Sequence, residues 1–413
     1  MSYMKDSKGK RLDSIEVETL RNRTIVLLGD SITESNGGWP GTTNTSYNSN
    51  GFFNWGHVFL GHPFQVLKNA GVAGEETTQM LARLKTDVLD LKPGWCHVLA
   101  GTNDVGHAIP NATAKANLAS IYDQLTAAGI KIIAGTLPPR NTYTGTMLND
   151  LHDLNLWIKN QGRIRKNFIV VDYYSAVAGP NGGWANNGDV GQVLTTDGTH
   201  PGNAGAGRMG MALYNTLKVL LPPTSPPFSS EQDPINILPY SRFTQGTVGS
   251  GTPPTGWNQS GLTGGPIVFS RVARTDIPGN WIQMVMPAGS KVNLQNPNAL
   301  LSSGKFSIGD NVVGTIEFQR SGIDTAAAAS TSGISLAVVA VTANVASPSD
   351  LYWVSGAYDN QTFIDHSGIL RTPTFTVPAN TTALLLQVTL GGGQTVKLDR
   401  AGIVNLTRSG AVA

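Results

Sequence analysis

Short apolar runs alternate with amphipathic stretches between Thr24 and about Leu221. The apolar runs are rich in β-branched residues and too short for helices, which is typical of strands buried on both faces of a parallel sheet. Strands that alternate with helices predict right-handed crossovers and an α/β domain of three layers, α/β/α. Five runs are assigned to strands: Ile25–Leu28, Phe64–Lys68, Trp95–Ala100, Ile130–Gly135 and Phe168–Asp172.

The amphipathic stretches carry apolar residues three or four positions apart, the spacing that lines one face of an α-helix. Gly129 follows one of these stretches, at the position where glycine commonly ends a helix. Four stripes predict buried helix faces: Met80, Leu84, Val88 and Leu91; Leu118, Ile121, Tyr122 and Leu125; Leu148, Leu151, Leu154 and Ile158; and Leu213, Leu217 and Leu220.

The pattern changes after residue 221. Residues 222–234 are rich in proline and poor in apolar side chains, so we predict a stiff linker between an α/β domain at 24–221 and a second domain at 235–413. The second domain contains short strand-like runs separated by Gly, Pro, Asn and Ser, which predicts an antiparallel β-sandwich of the jelly-roll type. Residues 1–23 are polar and too short for a core, so we expect either a loosely attached arm or an attachment or oligomerisation segment.

The composition is that of a protein with buried cores and a nearly neutral surface: 40% of the 413 residues are hydrophobic and 14% are charged. With 29 basic and 27 acidic residues the net charge is +2, and no basic block stands out, so we expect no nucleic-acid partner. No stretch approaches the ~18 apolar residues of a membrane span, so we expect no membrane insertion. The single cysteine, Cys96, excludes an internal disulfide, and its apolar surroundings predict a buried strand residue.

Candidate chemistry begins directly after the first predicted strand, at Gly29-Asp30-Ser31. This placement puts the Ser31 hydroxyl at the carboxyl edge of the sheet, where open α/β folds bind their ligands. The plain alternative is a serine that caps the next helix. Two further segments follow the second and third strands: a turn at Gly74, whose backbone N–H is unobstructed, and a loop at Asn103, whose amide can donate to a developing oxyanion. Taken singly, these are an ordinary turn and a loop asparagine.

The fourth segment is Asp197-Gly-Thr-His200-Pro, before the last helix of the α/β region. An acid three residues before a histidine either contributes to a metal site or forms a catalytic dyad. The chain has only seven histidines and no matching His or Cys cluster, so we expect no metal. As a dyad, His200 takes the Ser31 proton, and Asp197 fixes the imidazole tautomer and stabilises its charged form.

These four segments resemble, in order and in strand context, the four blocks of the SGNH (GDSL-like) hydrolase family. The resemblance covers residues 24–221 and implies a flavodoxin-like sheet, no cofactor, and an esterase with Ser31, Asp197 and His200 as its triad. It also implies that the backbone N–H groups of Ser31 and Gly74 and the side chain of Asn103 form the oxyanion hole. The opening GDSIT lacks the GDSLS signature of the plant-type lipases and is more similar to bacterial carbohydrate and acetyl esterases.

Polar loops with isolated tryptophans surround the predicted site, at residues 35–57, 138–146 and 178–191. Amide and hydroxyl groups between aromatic rings suit sugars, which offer hydroxyls and C–H faces, whereas a lipase needs an apolar trough. We therefore predict a carbohydrate O-acetyl ester as substrate, with Trp39, Trp55 and Trp184 as substrate-binding candidates. For each tryptophan the alternative is core packing at the base of a loop.

The second domain resembles the carbohydrate-binding jelly rolls of polysaccharide enzymes, with Tyr352 and Trp353 as candidates for stacking on sugars. A purely structural or trimer-forming domain is the alternative. Two functions of the whole chain also stay open beside the carbohydrate esterase: a lysophospholipase or thioesterase, and a non-catalytic glycan-binding adhesin.

The opening KDSKGKRLDS resembles the starts of bacteriophage tail fibre and tailspike proteins. In that interpretation the protein belongs to the virion, removes O-acetyl groups from bacterial capsular polysaccharide outside the cell, and forms a homotrimer. The first twenty residues lack the apolar region of a secretory signal. If the protein is instead a bacterial esterase, we expect it in the cytoplasm or exported by a route that needs no signal.

Overall fold

The computed structural model describes residues 22–37, 47–186, 192–221, 233–296, 299–322, 333–342, 351–354 and 365–409. Residues 1–21 of the predicted arm and 222–232 of the predicted linker lie outside these ranges. None of the helices within them combines the length and the apolar composition that crossing a membrane requires.

Five parallel strands form the first sheet: β1 (Thr24–Gly29), β2 (Gln65–Gly71), β3 (Trp95–Leu99), β4 (Lys131–Gly135) and β5 (Phe168–Val171). Their order is β2-β1-β3-β4-β5, the flavodoxin-like order, which confirms the predicted fold class. Gly29 lies opposite both Gly71 and Leu99, so the segments that follow β1, β2 and β3 leave the sheet at one edge. Cys96 is a buried residue of β3, as predicted.

The helices of this domain are α1 (Ser31–Glu34), α2 (Phe52–Phe59), α3 (Thr77–Asp87), α4 (Thr102–Gly106), α5 (Asn111–Ala127), α6 (Thr146–Ile164), α7 (Tyr173–Val177) and α8 (Asn203–Leu217). The contacts between helices define two groups. The helices α3, α4, α5 and α6 form one group, and α2, α7 and α8 form the other, as expected for one layer on each face of the sheet.

The predicted helix stripes are buried or half-buried, with two exceptions. Leu91 is 40% exposed because α3 ends at Asp87 and the chain continues as a 3-10 turn (Leu89–Leu91), which has a different periodicity. Leu220 is 50% exposed because α8 ends at Leu217. Gly129 follows α5 with a φ of +75°, the left-handed conformation that commonly ends helices.

The second domain is built from β6 (Asn258–Thr263), β7 (Val268–Ala273), β8 (Asn280–Met286), β9 (Lys291–Gln295), β10 (Ala299–Leu300), β11 (Asn311–Ser321), β12 (Ile334–Thr342), β13 (Leu351–Val354), β14 (His366–Arg371), β15 (Phe375–Thr376), β16 (Thr381–Gly391) and β17 (Gln394–Asn405), with a 3-10 turn (Leu301–Ser303) after β10 and a short helix, α9 (Leu406–Ser409), after β17.

These strands form two antiparallel sheets, β13-β12-β16-β9-β6 with β10 beside β16, and β14-β11-β17-β8-β7 with β15 beside β11. The sheets pack face to face: a Cβ atom on Gly314 of β11 would lie 2.6 Å from Cγ2 of Val338 in β12. The antiparallel sandwich is therefore confirmed. The side chains of Tyr352 and Trp353, the stacking candidates, lie outside the described part of the chain.

The two domains pack against each other through α2 and β14. A Cβ atom on Gly368 would lie 2.5 Å from the carbonyl oxygen of Val58, so this approach requires glycine. The His366 ring lies edge-on to the rings of Trp55 and Phe59, with centroid separations of 5.7 Å and 5.5 Å. Buried side chains are therefore continuous from one domain to the other.

Candidate active site

Ser31 is the first residue of α1, directly after β1 at the carboxyl edge of the sheet. Asp30 caps this helix, because its Oδ1 accepts a 2.9 Å hydrogen bond from the Ile32 N–H. The turn is so tight that a Cβ atom on Gly29 would lie 2.2 Å from Thr33 Oγ1. Burial raises the pKa of Asp30 to about 6. Since Asp30 fills the capping role, the Ser31 hydroxyl is available for other bonds.

The structure brings Ser31, His200 and Asp197 into one hydrogen-bonded chain. Ser31 Oγ lies 2.8 Å from His200 Nε2, and His200 Nδ1 lies 2.7 Å from Asp197 Oδ2. The side chains of His200 and Asp197 are 39% and 51% exposed, so a substrate can reach them. In this arrangement an imidazole takes a proton from a hydroxyl while the carboxylate holds the tautomer.

The carboxylate of Asp197 is held in its anionic form. Partial burial alone would raise its pKa, but hydrogen bonds from the His200 ring and from the backbone N–H groups of His200 and Thr199 outweigh burial and hold the pKa of Asp197 well below its usual value. Both backbone bonds end on Oδ1 at 2.8 Å, which leaves Oδ2 for the imidazole. Asp197 therefore orients the ring and stays ionised near neutral pH.

Thr195 stabilises the turn between the two triad residues, a role that the sequence analysis missed. Its hydroxyl accepts a 3.0 Å hydrogen bond from the Gly198 N–H and donates a 2.7 Å bond to the carbonyl oxygen of His200. Gly198 has a φ of +76°, which favours glycine. The only signal in the sequence was a hydroxyl residue two positions before Asp197.

The candidate oxyanion donors Gly74 and Asn103 are linked through Glu75, the residue after Gly74. Gly74 is exposed and has a φ of +79°, and no atom of the described residues lies within 4 Å of the place where its Cβ would be. The Asn103 side chain donates a 2.9 Å hydrogen bond from Nδ2 to the carbonyl oxygen of Glu75. A primary amide has two N–H donors, so one remains for a substrate oxygen.

A buried network supports the Asn103 segment. Asp104 accepts a 2.9 Å bond from the Thr77 N–H and a 2.6 Å bond from the Thr77 hydroxyl, which joins the first turn of α4 to the start of α3. Tyr143 donates a 2.5 Å bond from its hydroxyl to the carbonyl oxygen of Thr102. These contacts hold the backbone on both sides of Asn103.

A cavity of about 340 Å³ lies next to the triad turn. Asn141 belongs to the cavity wall and also contacts the triad turn. Its backbone N–H donates a 2.8 Å bond to the Gly198 carbonyl, and its Oδ1 accepts a 2.9 Å bond from the backbone N–H of Trp184. Amide, hydroxyl and aromatic side chains line the cavity, among them Asn141, Tyr143, Thr144, Asn181, Trp184 and Asn186.

Residues 27–208 match the family model of the GDSL-like Lipase/Acylhydrolase family. The α/β domain belongs to this family. The protein is accordingly a hydrolase that acts on ester bonds. The match ends before the second domain, so the family assignment concerns the GDSL-like domain alone.

Several solved structures are similar to the GDSL-like domain. A GDSL-like lipase from Bacteroides thetaiotaomicron is 22% identical, with 50% of this chain and 89% of that chain covered and a TM-score of 0.37. An acetyl-xylooligosaccharide esterase from Geobacillus Stearmophilus is 18% identical, with 47% and 94% covered and a TM-score of 0.38. TesA is 22% identical, with 48% and 99% covered and a TM-score of 0.37. No curated protein sequence matches the chain.

The three candidate tryptophans of the GDSL-like domain have different outcomes. The expectation for Trp55 as a substrate-binding residue is wrong: it is 4% exposed, its Nε1 donates a 2.7 Å bond to the Ser49 carbonyl, and α8 covers it, because a Cβ atom on Gly210 would lie 2.4 Å from the Trp55 Cβ. Trp184 is 6% exposed and lines the cavity. Trp39 lies outside the described residues.

The described residues of the whole chain contain no group of three or more His, Cys, Asp or Glu side chains that could hold a metal ion. The groups that the candidate site presents are the Ser31 hydroxyl, the His200 imidazole, the Asp197 carboxylate and N–H donors.

Proposed function

We propose that this GDSL-like hydrolase removes O-acetyl groups from a carbohydrate, with Ser31 as nucleophile, His200 as general base and Asp197 as the residue that orients His200. The observation that carries the proposal is the hydrogen-bonded chain from Ser31 Oγ through both His200 nitrogens to Asp197. Near neutral pH the anionic Asp197 favours the tautomer with a proton on Nδ1, so Nε2 is free to accept the Ser31 proton.

In the first half of the reaction, Ser31 Oγ attacks the ester carbonyl carbon while its proton moves to His200 Nε2. The tetrahedral oxyanion accepts hydrogen bonds from the backbone N–H groups of Ser31 and Gly74 and from Asn103. As the intermediate collapses, the C–O bond to the sugar breaks, and the sugar oxygen takes the proton from His200. Ser31 is left as an acetyl ester.

In the second half, a water molecule gives a proton to His200 Nε2 and attacks the acetyl carbon. The intermediate collapses, the Ser31 oxygen recovers the proton from His200, and acetic acid leaves and ionises to acetate in the solvent. The partly exposed positions of His200 and Asp197 support this step, since water reaches the imidazole directly.

The walls of the neighbouring cavity support a carbohydrate as the ester-bearing molecule. Asn141, Asn181 and Asn186 offer amide donors and acceptors, and the largely buried rings of Tyr143 and Trp184 form part of the cavity lining. Sugars need both kinds of contact, whereas a long acyl chain needs a continuous apolar lining. These residues therefore favour a carbohydrate ester over a fatty-acyl ester.

A test of the proposal measures acetate release from an acetylated bacterial capsular polysaccharide by the intact protein. Wild type and the matched control Ser120→Ala, on the surface of α5, should release acetate, and Ser31→Ala should be slower by about 10⁴-fold or more. Release that is independent of Ser31 would contradict the mechanism. Faster cleavage of long-chain than of acetyl p-nitrophenyl esters would favour a lysophospholipase or thioesterase, and binding without any cleavage would favour an adhesin.

We further propose that the polysaccharide lies on a bacterial surface and that the protein acts there as a homotrimeric phage tail component. The support is the resemblance of the opening KDSKGKRLDS to tail fibre and tailspike proteins, together with the all-β second domain. Light scattering on the purified full chain should give three chains per particle, and a monomer would contradict the trimer.

A further inference from the structure

Arg140 lies in a segment that crosses the site from the triad turn to the Asn103 helix. One residue after it, the Asn141 N–H bonds to the Gly198 carbonyl in the triad turn. Three residues after it, the Tyr143 hydroxyl bonds to Thr102 at the start of α4. These two bonds, both just after Arg140 in the chain, fix its segment to the triad turn and to the first residue of α4.

The guanidinium of Arg140 extends toward α4. Its Nη1 lies 2.8 Å from the place that a Cβ atom on Gly106 would occupy, and its central carbon lies 5.5 Å from the centroid of the Tyr143 ring. The residue is half-buried, and its Nε is buried without a hydrogen-bond partner among the described residues. The cation has thus lost part of its hydration where it packs beside the end of α4 and the Tyr143 ring.

No carboxylate of the described residues forms an ion pair with Arg140. Two other arginines of the same domain are paired: Arg83 with Glu75 and Asp87, and Arg165 with Asp123. Both oxygens of Asp104, on the same helix as Gly106, accept hydrogen bonds from Thr77. Arg140 therefore carries a positive charge with no ion-pair partner among the described residues.

An arginine that is partly desolvated and unpaired is suited to a planar anion, because the guanidinium presents parallel N–H donors that match a carboxylate. We propose that Arg140 is a specificity-determining residue that binds a carboxylate of the substrate, so that the acetyl group removed is carried by an acidic saccharide of the uronic acid class. This inference rests on the proposed carbohydrate esterase function and narrows its substrate.

The chemistry of ester cleavage does not involve Arg140. Its contribution is a charge-assisted contact made to the bound saccharide before and during the reaction, which lowers KM more than it raises kcat. Because the contact is ionic and only half-buried, added salt should weaken it.

The test compares polygalacturonate with its carboxyl-reduced form, each acetylated to the same degree. Wild type should have the higher kcat/KM on the acidic polymer, with a KM that rises with salt. Arg140→Gln should lower the ratio of kcat/KM on the acidic polymer to that on the neutral one by about 10- to 100-fold, the loss expected for one charge-assisted contact. Arg140→Lys should recover part of the ratio, since lysine keeps the charge without the planar fork.

The matched control is Arg163→Gln, an exposed arginine in the last turn of α6, which should leave the ratio at the wild-type value. A second measurement is independent of the polymers: oligogalacturonate should inhibit p-nitrophenyl acetate hydrolysis competitively, with a Ki that is 10- to 100-fold higher in Arg140→Gln. This readout separates ligand binding from a general disturbance of the site.

Equal turnover of both polymers by wild type, or an equal fall on both in Arg140→Gln, would overturn the role of Arg140 and leave the carbohydrate esterase intact. Cleavage of p-nitrophenyl acetate with no acetate released from either polymer would overturn the proposed function itself, and this inference with it.

Discussion

The backbone N–H of Asn141 donates a 2.8 Å hydrogen bond to the carbonyl oxygen of Gly198, in the turn between Asp197 and His200. Gly198 also packs closely against Asn141: a Cβ atom placed on Gly198 would lie 3.0 Å from the Asn141 Cβ. The side-chain Oδ1 of Asn141 accepts a 2.9 Å hydrogen bond from the backbone N–H of Trp184. One residue thus joins the wall of the cavity to the turn that carries two triad residues.

Asn141→Ala should raise KM for an acetylated oligosaccharide by about 10-fold. The change removes the Oδ1 acceptor and leaves the backbone N–H of Trp184 without this partner, which costs about 1–3 kcal/mol of free energy. The effect on kcat should be smaller, since the backbone bond to Gly198 remains. Steady-state kinetics measure both constants. Asn149→Ala, at an exposed position of α6, is the control, and a loss confined to kcat would contradict this account.

Asn103→Ala should lower kcat by about 10²- to 10³-fold, the usual loss for one oxyanion donor, with little change in KM. The reason is that the amide hydrogen left over from the Glu75 bond is expected to donate to charge that develops only in the transition state. Kinetics with p-nitrophenyl acetate test the split. Asn215→Ala, on the exposed surface of α8, should behave as wild type. Unchanged kcat in Asn103→Ala would remove this residue from the proposed oxyanion hole.

Stability should fall in acid because burial lowers the pKa values of three histidines in the α/β domain, His57, His62 and His97. Burial lowers the pKa of His57 and of His97 to about 3. In the unfolded chain a histidine has a pKa of about 6.5. Between these values the unfolded state binds more protons than the folded state, so the free energy of unfolding decreases as pH falls from about 6.5 toward about 3, by roughly 2 to 3 kcal/mol per histidine at pH 4.5.

Urea unfolding at pH 7.0 and 4.5 measures this difference. His97→Gln keeps a polar partner for the Tyr173 hydroxyl, which lies 2.9 Å from His97 Nε2, and should make the loss of stability in acid smaller by one histidine's share. His152→Gln, at an exposed position, should leave the pH dependence as it is in wild type. A pH dependence in His97→Gln that equals that of wild type would show that burial does not keep the His97 ring neutral.

Gly368→Ala should destabilise the packing of the second domain on α2 by about 1–3 kcal/mol, because its Cβ would lie 2.5 Å from the Val58 carbonyl oxygen, a backbone atom that cannot move alone. Differential scanning calorimetry should show a lower Tm. Gly249→Ala is the matched control, since its added Cβ would have no atom of the described part of the chain within 4 Å. A Tm equal to that of wild type would mean that α2 and β14 separate without cost.

The short apolar runs and their order were enough to predict the parallel sheet, because each strand and each helix stripe has a local signature. They were also enough to bring Ser31, Gly74 and Asn103 to one edge, since the segments after parallel strands leave a sheet on the same side. The spacing of Asp197 and His200 likewise predicted a bond that closes within a few residues. These features depend on chain order and on local periodicity.

Long-range packing decided the rest. Trp55 and Trp184 looked alike as isolated aromatics in polar loops, but Gly210 of α8 brings a neighbouring helix onto Trp55 and removes it from the surface. Arg140 and Asn141 carry no motif, and their importance comes from contacts to residues far away in the chain, Gly106 and Gly198. A sequence determines which segments become strands, helices and turns through local preferences, whereas the burial, the partner and the charge environment of a side chain depend on distant residues that only the folded chain brings together.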